Sequence, residues 1–207
     1  MRARKSKHRF LTLDELSPTV HLAACFKWKR ERNRYRIPSH HILLIESGKL
    51  EAKIPGGSFD AKAGDLICFR PADWNEYGAR NEAVVYEAHL EFASPPKHRL
   101  TPSLDEFGPL PLHVPMGDAF DEMRRVFEVF CIEITQPGAL HRLRLRSAVH
   151  EMLAILVSVL KHEDRGVKHL DPWQRARLRL DSELRGECNI GQLAREMSLS
   201  RRYFSRV

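Results

Sequence analysis

The sequence predicts an α+β protein, with an antiparallel β-barrel at the N-terminus followed by helices and an all-α C-terminal part. Three observations lead to this prediction. Up to about Pro96, apolar residues either alternate with polar ones or form short runs, as in strands. After a proline-rich passage the apolar spacing becomes helical. Near the C-terminus, helix-capping residues recur at short intervals. The 207 residues allow one or two domains.

The barrel prediction, residues 1–112 with a basic N-terminal arm, rests on six to eight short segments separated by Gly/Pro turns. Apolar residues alternate over residues 20–28, which predicts a strand with one buried face. A continuous apolar run at 42–45 predicts a strand, and a polar loop is expected at 71–82. The other predicted strands are residues 50–54, 58–61, 66–69 and 84–92.

Two helices are predicted in residues 113–164, from apolar positions at helical spacing on either side of Pro137-Gly138. The last turns of the second helix are apolar around most of their circumference, so more than one neighbour must cover them. We expect these to be dimerisation helices that leave an apolar seam, including Met152, for a second copy of the chain. The alternative is that all of this surface packs inside one subunit.

A polar linker at residues 165–170 precedes a predicted helical domain, residues 171–207. Asp171-Pro172 is a helix start signal, and Gly186 is a plausible helix end. From residue 190 onward the pattern is that of two short crossing helices with a shared small core, a helix-turn-helix. Ser198 stands where such a turn usually has glycine. The apolar positions are Leu193, Met197, Leu199, Phe204 and Val207, with the small Ala194 at the crossing.

Ser200 can cap the second of these helices, which places four polar residues on its outer face. Arginine there can grip guanine edges or phosphates. The alternative is a plain helical hairpin whose arginine face is simply exposed to solvent. The four residues are Arg201, Arg202, Ser205 and Arg206.

Charge and cysteine usage narrow the function classes. The net charge of +7 divides into +8 for residues 1–36, −7 for 37–140 and +6 for 141–207. The basic ends therefore suit a polyanion such as DNA, although solvated surface charge explains the layout equally well.

The four cysteines lack metal-site spacing, and no apolar run reaches the ~20 residues of a membrane span. We expect a reduced, cytoplasmic protein that does not contact membranes.

The segment LAREMSLSRRYFSRV, residues 193–207, resembles the first helix-turn-helix of AraC-type (AraC/XylS) bacterial transcription regulators. Gly64-Asp65 and the stretch up to Pro71 resemble their N-terminal cupin sensor domain, and EAHLEF at 87–92 resembles its closing strand. The resemblance implies a ligand-responsive, DNA-binding homodimer whose cupin-like barrel senses a small molecule, for example a sugar. It places Arg202, Ser205 and Arg206 at base edges and Arg201 nearer the DNA backbone.

Such regulators have two helix-turn-helix units, whereas this sequence stops at Val207, inside the first recognition helix. The resemblance therefore implies a truncated regulator with an incomplete DNA-binding domain. We expect it to bind DNA weakly, because roughly half of the expected contact surface is absent.

The same resemblance bears on enzyme chemistry, since many cupins hold a metal with histidines and a carboxylate. His41 and Glu46 match that motif, but Ser39 and Glu76 replace two of its histidines. We therefore expect no cofactor, no metal site, no catalytic residues and no enzyme activity. A cupin metalloenzyme remains one alternative, and a ligand-binding dimerisation module without its own DNA binding is another.

If the barrel binds a ligand, inward polar and aromatic side chains should contact it. Tyr86 and His89 are separated by an odd offset, so both cannot point inward without a β-bulge. The candidate ligand-binding residues are Trp28, His41, Glu46, Tyr86 and His89.

Overall fold

Two antiparallel sheets and two helices make up the computed structural model, which describes residues 16–29, 32–54, 57–71, 73–92, 104 and 110–164. A short 3₁₀ turn, Gly117–Ala119, leads into helices α1 (Phe120–Glu133) and α2 (Ala139–Asp164). The strands are β1 (Thr19–Lys29), β2 (Arg32–Arg36), β3 (His40–Ser47), β4 (Lys49–Ile54), β5 (Gly57–Lys62), β6 (Asp65–Phe69), β7 (Trp74–Ala79), β8 (Glu82–Glu91) and β9 (His113–Pro115).

The strand order shows a cupin-like double sheet. One sheet has the order β1-β8-β3-β6-β9 and the other β2-β7-β4-β5, and every pairing is antiparallel. Apart from β9, this is the arrangement of an eight-stranded jelly roll. The predicted antiparallel barrel is confirmed at this level. β9 begins one residue after the predicted barrel boundary at residue 112, yet it extends the sheet by pairing with β6.

β3 is buried on both faces, which explains its continuous apolar run. Successive side chains of a strand point to opposite faces. Leu43 and Ile45 therefore enter the barrel interior, while Ile42 and Leu44 pack in the second core beneath the helices. β8 divides in the same way, with Val85 inside the barrel and the neighbouring even-numbered residues facing the helices.

Two sequence expectations about strands need correction. β1 does not keep one buried face, because a register shift between Val20 and Leu22 moves Val20 to the helix side while Trp28 lies inside the barrel. The polar loop expected at residues 71–82 is wrong, since β7 lies within it. Its buried residues Asn75 and Tyr77 do alternate with less buried ones, a period-two signal that its polar composition masks.

The tight turn between β3 and β4 depends on Gly48. Its φ of +84° lies in the left-handed region, and a Cβ there would stand 2.3 Å from the backbone oxygen of Glu82. Glycine alone fits this position, because it has no Cβ to strain the backbone or to collide with β8. The turn thereby holds β3 closely against β8.

The two predicted helices are confirmed, and they cover one side of the five-stranded sheet. The buried face of α1 includes Met123, Phe127 and Phe130, which pack with residues of α2 and of the sheet. The expectation of a dimer seam at Met152 is wrong. Its side chain is 0% exposed inside this core, so no partner chain can contact it in this fold.

Of the five exposed large apolar side chains among the described residues, one is Leu22 of β1 and the other four lie around the α1–α2 turn. Ile132 of α1 and Leu143 of α2 are 62% and 64% exposed, respectively. Val129 and Leu140 are the other two members of this group, which we call the exposed apolar strip.

The predicted linker at 165–170 and the helix-turn-helix at 171–207 lie outside the described residues, as do Arg201, Arg202, Ser205 and Arg206. Neither helix described here is long and apolar enough to cross a membrane.

Candidate functional site

Three ionisable side chains converge inside the barrel, on the interior face of β3 and β8. His41 lies directly opposite His89 in the β3–β8 register. Glu87 precedes His89 by two residues on the same strand, so both side chains point to the same face. We call His41, Glu87 and His89 the His–Glu–His cluster.

A single carboxylate oxygen joins the cluster. The Nε2 atoms of His41 and His89 each lie 2.6 Å from Oε1 of Glu87, a distance at which each imidazole N–H donates to the carboxylate. The ligand-type atoms of all three residues lie within 4.8 Å of one another. The side chain of His41 is 1% exposed, whereas those of Glu87 and His89 are 14% and 20% exposed. One end of the cluster therefore meets solvent.

The electrostatics of the cluster favour an ionised carboxylate on Glu87 beside a neutral His41 imidazole. Burial raises the pKa of Glu87, but the hydrogen bonds and charges of His41 and His89 outweigh that effect and leave it at about 2. Burial lowers the pKa of His41, and its hydrogen bond to Glu87 only partly opposes this. At neutral pH the cluster is thus an anionic acceptor flanked by two nitrogen donors that can also act as ligands.

Aromatic side chains form the wall behind the cluster. The hydroxyl of Tyr77 lies 3.3 Å from Nε2 of His41, and its ring lies 5.4 Å from the imidazole. The ring centroid of Phe69 lies 5.6 Å from that of the His41 imidazole, and the ring centroids of Trp28 and Tyr77 are 4.8 Å apart. Burial raises the pKa of Tyr77, so its hydroxyl is neutral and can donate or accept a hydrogen bond. A ligand at the cluster would meet aromatic surface and one hydroxyl.

The five candidate ligand residues divide between two faces of the sheet. Trp28, His41 and His89 lie on the barrel side. Tyr86 lies on the helix side, where its ring is 6.2 Å from that of Phe127. The odd offset between Tyr86 and His89 thus separates them, as expected from strand geometry.

Glu46 also lies apart from the His–Glu–His cluster. It occupies the register shift between Ile45 and Ser47, and its charge acts on Tyr86 and on Arg124 of α1. Glu46 and Tyr86 therefore do not share a cavity with the other three candidates. A role for any of the five in ligand binding stays a prediction.

The cupin metal motif does not assemble here. Glu76 points away from the interior, since Tyr77 beside it is buried inside, and it pairs with Lys53 at 3.5 Å on the outer side of the four-stranded sheet. Ser39 is buried ahead of β3, and Glu46 lies on the helix side. Of the four motif positions, only His41 joins the His–Glu–His cluster.

Sequence reasoning missed Glu87, the central member of the cluster. The available signal was the E-x-H spacing of Glu87 and His89 within a strand, which places both on one face. Using it requires the register of β8 against β3, which the sequence does not provide.

No protein-family model and no curated protein matches the chain. A cupin superfamily protein from Desulfitobacterium hafniense aligns at 9% identity and a TM-score of 0.32, covering 37% of this chain and 78% of that one. A putative ethanolamine utilization protein from Salmonella typhimurium aligns at 19% identity and a TM-score of 0.30, covering 39% and 77%. A DUF861 family protein from Thermotoga maritima aligns at 14% identity and a TM-score of 0.28, covering 33% and 76%. Similarity at this level identifies no family, and the cupin-like description rests on the chain's own strand order.

Proposed function

We propose that this chain is a ligand-responsive, cytoplasmic transcription regulator of AraC type, and that its barrel senses a small molecule at the His–Glu–His cluster. The observation that supports a sensor is the convergence of three polar side chains beside the apolar and aromatic residues of the barrel core. Ligand sites typically combine an apolar wall with a few convergent polar groups. The partial exposure of Glu87 and His89 gives a ligand access to the cluster.

The DNA-binding half of the proposal rests on the sequence. The spacing of apolar residues from Leu193 to Val207 and the net charge of +6 over residues 141–207 both favour a helix-turn-helix that contacts a polyanion. Arg202 and Arg206 are the side chains proposed to read base edges, and Arg201 is proposed to contact the backbone. Ser205 lies between the two readers in the sequence and is assigned to the same surface.

The exposed apolar strip supports a homodimer. Val129 and Ile132 on α1, and Leu140 and Leu143 on α2, are each at least 37% exposed and three residues apart within their helix. Residues at that spacing share a helix face, so a second copy could cover all four at once. A dimer would present two DNA-binding units at a fixed spacing, which half-site recognition requires.

DNA binding is tested by selecting duplexes from a random library with the 207-residue chain and measuring affinity by fluorescence anisotropy. We expect an enriched site that binds more tightly than its scrambled version. Arg206→Ala should weaken binding to that site by about 1–3 kcal/mol and relax discrimination there. Arg125→Ala is the matched control, because Arg125 is an exposed arginine on α1.

Failure to enrich any sequence would contradict the proposed function. Equal losses on selected and scrambled duplexes would reduce Arg206 to a phosphate contact. A dimer that has no measurable affinity for DNA would favour the other candidate, a ligand-binding dimerisation module, which the exposed apolar strip also supports.

A further inference from the structure

We propose that the His–Glu–His cluster is a binding site for one divalent transition-metal ion, with Nε2 of His41, Nε2 of His89 and a carboxylate oxygen of Glu87 as its protein ligands. The proposal deepens the sensor role, because it names the ligand class of that site. The regulatory consequence rests on the proposed function, whereas binding of the metal does not.

The donor set is the first argument. Two imidazole nitrogens and one carboxylate oxygen form the ligand set of His₂Glu zinc sites and of two-histidine, one-carboxylate iron sites. This composition disfavours Ca²⁺ and Mg²⁺, which prefer oxygen ligands throughout.

The geometry is the second argument. With metal–ligand bonds of ~2.0–2.2 Å, neighbouring ligand atoms of one ion stand roughly 3.0–3.5 Å apart. The two Nε2–Oε1 distances of 2.6 Å are hydrogen bonds, so the three groups need only a small outward shift once an ion replaces the shared protons. His41 and His89 lie opposite each other on paired strands, which fixes their backbones at a close distance.

The surroundings leave room for a further ligand. The protein supplies three ligands from two adjacent strands, and a site with three protein ligands keeps a position open for water or an effector. The Tyr77 hydroxyl, 3.3 Å from Nε2 of His41, can hydrogen-bond a molecule bound at that position. Exposure of 20% at His89 provides the route by which the ion enters.

The cluster is not the metal set implied by the cupin resemblance. That set comprises Ser39, His41, Glu46 and Glu76, which the fold distributes between the interior, the helix side and the outer face of the second sheet. Both added ligands, Glu87 and His89, come from β8 instead. The proposal therefore depends on the register of β8 against β3 and not on the motif.

The test is metal titration of the full chain without an affinity tag, after removal of bound metal with a chelator. Co²⁺ binding is followed through its visible absorption, and Zn²⁺ affinity is measured by competition with a chromophoric chelator. The variants are Glu87→Gln, which preserves side-chain shape, and His89→Gln, at a partly exposed position. His150→Gln is the control, because His150 is an exposed histidine on α2.

We expect one equivalent of metal per wild-type chain, unchanged in His150→Gln. Loss of an outer-shell partner typically weakens metal affinity 10–100-fold, so loss of a direct ligand in either cluster variant should weaken it by at least about that factor. Far-UV circular dichroism of the metal-free proteins checks folding, and His89→Gln decides the matter if Glu87→Gln does not fold.

Two results would overturn the proposal: no binding at one equivalent in the wild-type chain, or equal affinity in the folded variants. Because no DNA is present, either result leaves the DNA-binding experiment to judge the proposed function separately. A chain that binds metal but enriches no DNA sequence would keep the metal site and remove the regulatory role.

Discussion

His40 should make the fold sensitive to mild acid. Its side chain is 2% exposed on the helix side of β3, and its ring lies 4.7 Å from that of Phe92. Burial lowers the pKa of His40 to about 3, the nearby charge of Arg70 acts in the same direction, and a hydrogen bond to the backbone of Leu90 acts in the opposite direction. The imidazole is therefore neutral in the folded protein over the whole mildly acidic range.

The unfolded chain behaves differently, because a solvated histidine takes up a proton near its ordinary pKa of about 6.5. Between these two pKa values the unfolded state binds one more proton than the folded state, so stability falls as the pH falls. At ~1.36 kcal/mol per pH unit, His40 alone removes about 2 kcal/mol of unfolding free energy between pH ~6.5 and ~4.5.

The contribution of His40 to the pH dependence of the unfolding free energy can be measured by urea denaturation of the wild-type chain and of His40→Leu. Unfolding is followed by circular dichroism from about pH 7 to pH 4.5. Near pH 7 the variant should differ from wild type by at most ~1.5 kcal/mol, the usual net value of a hydrogen bond. Its loss of stability on acidification should be smaller by about 2 kcal/mol. His150→Gln, at an exposed position of α2, is the control for the loss of a histidine side chain as such. Identical slopes for wild type and His40→Leu would refute the reasoning.

Other consequences of the fold can be measured in the same way. Gly48→Ala should lower the unfolding free energy by at least ~2 kcal/mol, and Gly64→Ala by only ~1 kcal/mol, because both have positive φ but only the first lacks room for a Cβ. Equal losses in thermal unfolding would contradict this. Met152→Asp should prevent folding by placing a carboxylate in the core, whereas Leu143→Asp should fold and dissociate any dimer in sedimentation. Leucine at all three positions of the His–Glu–His cluster should leave metal-free stability equal or higher and abolish Co²⁺ absorption. A large loss of stability would assign the cluster a structural role.

The sequence predicted the parts of the fold that depend on local periodicity. The strand at β3 and both helices follow directly from their apolar spacing. Long-range pairing decided the rest. β7 is polar in composition and becomes a strand because β2 and β4 pair with it on either side. The register shift between Val20 and Leu22 likewise arises in the pairing of β1 with β8. The alternation of apolar residues along β1 does not indicate it.

Met152 shows that the sequence also does not determine which elements bury an apolar residue. Its helix is apolar on more than one face, which correctly predicts several neighbours, but the sequence does not say whether they belong to one subunit or two. The sheet and α1 supply those neighbours. The exposed apolar side chains of the two helices lie at the α1–α2 turn instead, where Ile132 and Leu143 are exposed.

His40 and His41 together show why convergence, and not burial, identifies the candidate site. Both are buried histidines on one strand, and they point to opposite faces. His40 packs against Phe92 in the helix-side core, where a neutral imidazole serves as an ordinary core group. His41 instead meets a second histidine and a carboxylate, whose desolvation costs more than their hydrogen bonds typically return. Valine or leucine would fill those interior positions at lower cost, as Leu43 and Ile45 do further along β3. At these positions the chain has three side chains that can hydrogen-bond or coordinate a ligand, where stability alone would favour apolar ones. This is the arrangement expected of a binding site.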